Sequence, residues 1–442
     1  MKKYIYSVFI IVFSSAVYSQ EKMSLSMQEA IDYAIKNNYE NKIASNDIRA
    51  AEKRKWETTT IGLPQISGTV DYQNWLKQQV QLADFNDDGV DEELLFGKKQ
   101  SLTGTVTLSQ LLFDGSYIVG LQSAKTYLKI SKQAKEKTAL VTKEAVVTAY
   151  GNVLVAEKSI EILKSNQKVN KRLLKGATLG YKNGLAEEEE VEQFEITKGN
   201  LENSIRNAVR MKQIAYQMLN LTLGNKIETE LELTDSLENL LLANVNLNLL
   251  ATDFNLNNHI DFKIAENTRE SNRLLMKLEK SKRLPTLSTF INYGTAAFSD
   301  DFTFLKGSQK WIKSSLFGVS LKVPLFTSFG GEAKIAQTKI ALENSDIELE
   351  QTKQRLNLQA AQARSNYQYS IENYETAKKN LNLAERIEKK HQIKFKEGVS
   401  TSFELLQAQQ QLYAQQNNYV QAMLNIITNK TLLENALNTS VK

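Results

Sequence analysis

Hydrophobic and polar residues alternate with period two over four short stretches of this chain, and a three-and-four spacing runs through far longer ones. The cleanest alternation puts Phe317, Val319, Leu321, Val323 and Leu325 on one face, with Gly318, Ser320 and Lys322 on the other. A second sets Leu102, Val106, Leu108 and Leu112 against Thr103, Thr105, Thr107 and Ser109. Two softer ones oppose Ile66, Val70 and Tyr72 to Ser67, Thr69, Asp71 and Gln73, and Leu287, Ile291 and Tyr293 to Ser288 and Asn292. Such alternation marks a strand with one apolar face, so strands are expected over about 65–76, 101–113, 286–297 and 315–326. Each approaches the ~9–11 residues of a tilted transmembrane strand. Alternation alone fits a soluble sheet too. Tyr72, Trp75, Phe96, Phe298, Phe302, Phe304 and Trp311 gather at the strand ends, as in a membrane girdle or an aromatic core.

The longer periodicity predicts helices. Residues 116–175 and 331–396 contain no proline and almost no glycine. Helices of that length reach roughly 90–100 Å at ~1.5 Å per residue, far beyond an ordinary globular helix. A seam runs through Ala360, Ala363, Tyr367, Ser370, Tyr374, Ala377, Leu381 and Ala384 at alternating spacings of three and four, the a/d pattern of a coiled coil. Its column Ala363, Ser370, Ala377 and Ala384 is small, which lets a partner backbone approach. Gly184 and Gly398 end the long helices, where glycine takes positive φ without penalty, and return helices are expected over 185–223 and 400–438.

These elements are written twice. Leu63-Pro64-Gln65 recurs as Leu284-Pro285-Thr286, Leu112-Phe113 with Gly115 as Leu325-Phe326 with Gly330, and Tyr181-Lys-Asn-Gly184 as Phe395-Lys-Glu-Gly398. A fixed order at a nearly constant offset is an internal repeat, with a first copy over 21–223 and a second over 252–438. Pro64 and Pro285 each stop a helix (26–60 and 252–283) just before a strand, because the residue preceding proline is driven to extended geometry.

Composition then narrows the class. Lys2, Lys3, an apolar run over 5–17 and small residues up to Ser19 and Gln20 read as a secretory signal over 1–20; no later segment is expected to cross a bilayer as a helix. The 442 residues include no cysteine and only two histidines, His259 and His391, far apart in sequence. No thiolate chemistry or disulfide is possible, no cofactor is expected, and no nucleophile–base pair recommends an enzyme. The net charge of +5 is spread over interspersed signs, so no basic footprint for nucleic acid exists. Asp84, Asn86 and Asp88 have the D-x-N-x-D-G spacing of the front half of a calcium loop, but Leu95 stands where that loop needs a bidentate glutamate; a solvated acidic turn fits better. No other metal site is expected.

Four strands cannot seal a membrane barrel. Open edges leave backbone groups unpaired in hydrocarbon at several kcal/mol each, and single-chain barrels begin at about 8 strands. If these strands are in a membrane, several copies must pool them. A secreted coiled-coil structural or adhesion protein would explain the signal and the heptads, but not the duplicated alternating strands.

With Leu-Pro before a strand, Leu112-Phe-Asp-Gly-Ser116 and Phe395-Lys-Glu-Gly-Val-Ser-Thr-Ser-Phe-Glu-Leu-Leu-Gln-Ala-Gln409, the mature chain resembles the TolC family of outer-membrane efflux proteins. The resemblance implies a mainly α fold with a small β part, four transmembrane β-strands per protomer, and a homotrimer sharing a twelve-stranded barrel in the outer-membrane lipid. Long coiled-coil helices would form a periplasmic tunnel, with 224–251 in an equatorial belt and 439–442 as a tail. It implies an exit duct working with a periplasmic adaptor, contacted at hairpin tips Gly184, Leu185, Gly398 and Val399, and with an inner-membrane RND or ABC transporter. The family narrows its periplasmic mouth with carboxylates, and Glu404 and Glu190 fall on those positions, while Gln407 replaces another. Phe395 and Ser400 stand where some members carry a tyrosine–arginine latch, so that latch is absent. Glu187, Glu188, Glu189 and Glu190 would make the entrance negative, or complement the N-terminal dipole of the return helix, or both.

Overall fold

In the computed structural model, which describes residues 23–83, 89, 92–95 and 97–438, the chain is mostly helical with a small β component. In order it forms β1 (Met23–Leu25), α1 (Met27–Asn37), α2 (Tyr39–Thr60), β2 (Gln65–Asn74), β3 (Val80–Ala83), β4 (Glu92–Leu95), β5 (Gln100–Asp114), α3 (Gly115–Lys182), α4 (Glu188–Leu223), β6 (Leu231–Leu233), α5 (Leu237–Asn244), α6 (Ile260–Ser281), β7 (Thr286–Ser299), β8 (Ile312–Lys322), α7 (Gly330–Lys396) and α8 (Ser402–Leu437). The residues read as a signal, the candidate calcium residues Asp84, Asn86 and Asp88, Phe96 and the tail 439–442 lie outside the described residues.

Two compact units divide the chain, one of 43–137 and 255–358, the other of 1–42, 138–254 and 359–442. In the first, β2, β5, β7 and β8 form one antiparallel sheet in the order β2-β5-β7-β8. Asp114 ends β5 and starts α3, its Oδ1 accepting from the Ser116 and Tyr117 N–H groups. The last strand stops at Lys322, so Val323 and Leu325 do not continue its apolar face. Thr286 is the final ladder partner, opposite Lys322; the next residue back on β7 is Pro285, which has no N–H to offer a further rung.

The second unit holds the main hydrophobic core. Ala30, Ile31 and Ala34 of α1, Val146, Val147, Tyr150 and Val153 of α3, Leu219 and Leu223 of α4, and Met423, Ile426 and Ile427 of α8 pack together. The small seam of α7 joins them: Tyr367 and Tyr374 are buried with Ala377, and buried Ala360, Ser370 and Ala384 extend the same spacing. β1 pairs in parallel with β6, and two buried tyrosines tie the segments around β1, β6 and α5 to the long helices. The Tyr150 hydroxyl lies 3.0 Å from the Leu25 carbonyl and 3.1 Å from the Asp235 carboxylate. The Tyr367 hydroxyl donates to Asn244 O at 3.0 Å and accepts from Asn246 N–H at 2.9 Å.

By composition alone, one later helix is apolar enough to span a bilayer, against expectation. α3 contains an 18-residue window of mean hydropathy 1.2, enough by length and composition to cross a membrane. Its apolar residues Val146, Val147, Val153 and Leu154 are buried in protein instead, so the hydropathy reflects a core-lining helix.

Candidate functional site

The two hairpin tips close with the same backbone hydrogen bonds. Gly184 N–H reaches Tyr181 O at 2.9 Å and Leu185 N–H reaches Gly180 O at 2.9 Å; Gly398 N–H reaches Phe395 O at 3.1 Å and Val399 N–H reaches Lys394 O at 2.8 Å. This is a Schellman closure, with glycine in the left-handed region (φ +69° at Gly184 and +70° at Gly398). It leaves Leu185 and Val399 projecting at the two apices, 85% and 75% exposed.

Just past each apex stand the candidate acids. Glu187 caps α4 without a side-chain hydrogen bond, and Glu188, Glu189 and Glu190 fill the first turn, where the helix dipole favours negative charge. Glu189 accepts from Gln193 Nε2 at 2.9 Å. Glu190 is half-buried, and partial burial together with the Glu187 charge raises its pKa above the ordinary carboxylate value. On the other hairpin, Ser400 Oγ donates to Glu404 Oε2 at 2.5 Å and Thr401 Oγ1 caps the Glu404 N–H at 3.3 Å. That hydroxyl, then the cap and the His391 and Lys394 charges, lower the Glu404 pKa. The two glutamates sit on different hairpins and share no hydrogen bond among the described residues. Gln407 is exposed one turn further on.

Two residues to which the sequence assigns no role here organise this region. Phe194 of α4 is fully buried and meets Phe395 of α7 edge-on at 5.6 Å, within a cluster that includes Leu173, Ala177 and Leu405. Phe395 therefore joins the two hairpins of one chain by packing. His391 Nδ1 lies 3.4 Å from Ser400 Oγ, so Ser400 bridges a histidine and a carboxylate within its own hairpin. The His391–Ser400 separation of nine residues carries no helical period, which is why spacing gave no sign of it. The other histidine, His259, caps α6 by accepting from Asp261 N–H at 3.2 Å. Among the described residues no group of three acids, histidines or cysteines could hold a metal ion.

Because burial raises Glu190 while a hydroxyl lowers Glu404, falling pH neutralises Glu190 first. Ser400→Ala removes the largest influence on Glu404 and is expected to move its titration upward, towards that of Glu190. Carboxylate-detected NMR on side-chain-labelled protein reads both groups; an unchanged Glu404 titration in the variant would contradict this account.

The sheet is the second candidate surface. Strand register places Ile66, Val70 and Tyr72 of β2, Leu102, Val106 and Leu108 of β5, Ile291 and Tyr293 of β7, and Phe317, Val319 and Leu321 of β8 on one face. The opposite face carries Ser67, Thr69, Asp71, Thr103, Thr105, Thr107, Asn292, Ser314 and Ser320, interrupted by Leu111, Phe290, Phe298, Ile312 and Leu316. Leu112 does not join the apolar face as its parity suggests: a bulge between Leu111 and Phe113 puts Phe113 opposite Leu287, because the extra residue reverses the alternation. The apolar face is open, with Ile66 and Val70 about three-quarters exposed and Phe317 67% exposed. Both outer strands, β2 and β8, have one unpaired edge.

A groove of about 890 Å³ along 227–233 is lined by Glu157, Lys212, Tyr216 and Asn220. Two of its charges pair across it, since Glu157 Oε1 receives Lys212 at 2.8 Å and the Tyr216 hydroxyl at 3.0 Å.

Residues 254–439 match the profile of the family described as outer membrane efflux protein. No curated protein matches the chain in sequence. Its fold is similar to that of CusC, whose crystal structures concern folding and transmembrane channel formation (TM-score 0.73, 16% identity, 93% of this chain and 92% of that one). It is also similar to the outer membrane protein VceC of Vibrio cholerae (0.71, 14%, 93% and 95%). A third similar structure is the open state of the MtrE outer membrane channel of Neisseria gonorrhoeae (0.68, 15%, 96% and 93%).

Proposed function

We propose that this chain, a TolC-family outer-membrane efflux protein, is the exit duct of a tripartite efflux or secretion system, conducting substrates passively from periplasm to exterior. One observation carries the reading: a four-stranded antiparallel sheet, apolar on one exposed face and hydroxyl-lined on the other, with both edges unpaired. In lipid, each unpaired edge group costs several kcal/mol, so β8 of one copy joins β2 of the next until the sheet closes. Three copies give a twelve-stranded barrel with the Ser/Thr face inward and the apolar face in the bilayer, an arrangement that alternation requires of a membrane barrel. The chain then reads as two structural repeats joined by the equatorial segment 224–251.

The long helices continue the duct through the periplasm. Tips Gly184, Leu185, Gly398 and Val399 face a periplasmic adaptor, which couples the duct to an inner-membrane transporter of the RND or ABC type. Glu190 and Glu404, repeated in each copy, make the entrance negative and favour cations. No covalent chemistry is asked of the protein; the energy comes from the pump.

Purified protein reconstituted in planar bilayers is expected to conduct, with cation selectivity that falls in Glu190→Gln/Glu404→Gln. A folded protein that gives no conductance, even with both acids neutralised, and that extracts from cells without detergent would instead favour the secreted coiled-coil reading.

A further inference from the structure

We propose that the β7–β8 connection, residues 300–311, together with Lys313, is a docking surface for the phosphates of anionic membrane lipid at the outer rim of the barrel. The inference rests on the outer-membrane reading above and adds a ligand to it.

This loop folds back onto the sheet. Phe302 and Phe304 meet Tyr72 edge-on at 5.8 and 6.0 Å and each other at 5.5 Å. Tyr72 and its ladder neighbours Leu102 and Ala297 belong to the apolar face, and Ala297 and Phe304 are buried there, 0% and 4% exposed. The connection is thus laid over the surface that contacts lipid, at the end of the sheet remote from Pro64 and Pro285. It is held in that position. Thr303 Oγ1 donates to Gln309 Oε1 at 2.6 Å, and Asp300 takes Lys98 Nζ at 2.7 Å and the Lys99 N–H at 3.3 Å.

What the loop presents outward is both apolar and cationic. Leu305 is 88% and Phe302 58% exposed, an unfavourable display in water and a natural one at a bilayer boundary. Lys306, Lys310 and Lys313 are exposed and form no ion pair among the described residues. Asp300 is already engaged by Lys98, which leaves Asp301 as the loop's other acid. Lys313 is the telling position. Register places it opposite Thr295, on the apolar face, where it is the only charged residue of the four strands. It lies eight residues from Leu321, near the other end of that face, or ~27 Å along the strand at ~3.4 Å per residue, about 20 Å of barrel height at a tilt of ~40°. An apolar band is ~25 Å tall, so the Lys313 stem runs along hydrocarbon and its ammonium emerges at headgroup level, as snorkelling lysines do. Three flexible ammonium groups around an apolar wedge suit a lipid carrying phosphate better than one carrying a neutral head.

The test uses the full chain in nanodiscs of phosphatidylcholine doped with lipid A, a bis-phosphorylated lipid, and counts lipid A retained per chain by native mass spectrometry. Wild-type protein is expected to retain lipid A over its dephosphorylated form. K306Q/K310Q/K313Q is expected to lose about a hundredfold in retention, given roughly fivefold per lysine at an anionic surface. F302S/L305S should weaken retention of both lipids, while K334Q/K396Q, on exposed positions of α7, should change nothing. Equal retention by the triple variant, or equal retention of dephosphorylated lipid by wild type, overturns the proposal while channel conductance in the same preparation leaves the duct reading standing. Protein that fails to float with vesicles sinks both.

Discussion

Substituting alanine for Gly224 is expected to destabilise the helical unit by about 2–5 kcal/mol, a large share of the ~5–15 kcal/mol that holds an ordinary domain folded. Gly224 ends α4 with φ +83°, its N–H returning to the last turn of that helix. Two costs coincide there. A left-handed backbone with a Cβ costs roughly 1–2 kcal/mol. The added atom would also lie 2.3 Å from the Asn37 carbonyl oxygen and 2.9 Å from Asn38 Cα, and backbone atoms cannot swing aside as a side-chain end could. The junction is further tied by Asn38 Nδ2 to Thr222 O at 2.8 Å and by the Tyr33 hydroxyl to Asn225 Oδ1 at 2.8 Å, so relief would break hydrogen bonds. Gly398→Ala is the matched control: its φ is also positive, at +70°, but nothing lies within 4 Å of the new Cβ, leaving strain alone. Thermal unfolding followed by far-UV circular dichroism separates them. Equal losses for the two variants would show that the close approach to Asn37 does not matter.

The second large effect concerns the sheet. Val106→Arg, at the centre of the apolar face opposite Tyr293 and Gly68, is expected to cost about 2–4 kcal/mol per chain in membrane insertion, as a cation near the bilayer midplane does. In a trimer it acts three times. The adjacent Thr105→Arg points to the opposite face, beside Gly294 and Thr69, and is expected to insert normally while lowering conductance by narrowing the lumen and adding positive charge. Denaturant titration of protein folded into lipid vesicles measures the first effect and single-channel recording the second. A reversed outcome, with the threonine position intolerant and the valine position silent, would mean that the assignment of lipid and lumen faces is inverted.

Much of this architecture is visible in one dimension because it is periodic. The seam from Ala360 to Ala384 is buried where three-and-four spacing places it, since a helix repeats its face every few residues regardless of what covers it. Faces of β2, β5 and β7 likewise follow parity, until the bulge at Leu112 inserts a residue that no local pattern announces. Pro285 ends a helix through its own neighbour, which is local, whereas the end of β8 at Lys322 is read only from its ladder with β7.

Chain periodicity, proline placement and glycine turns were therefore sufficient to determine the four main strands, the long helices and the apolar faces, but not the break at Asn38 that splits the expected helix 26–60 into α1 and α2, nor the short β1, β3, β4, β6 and α5. Each depends on bonded neighbours or on a side-chain repeat that sequence spacing encodes directly. Only the tertiary structure decided which distant groups meet. It brought β1 beside β6, Phe395 onto Phe194, His391 to Ser400, and Phe302 and Phe304 down onto Tyr72. Those contacts are set by how helices and strands pack in three dimensions, and packing leaves no period in the sequence to read.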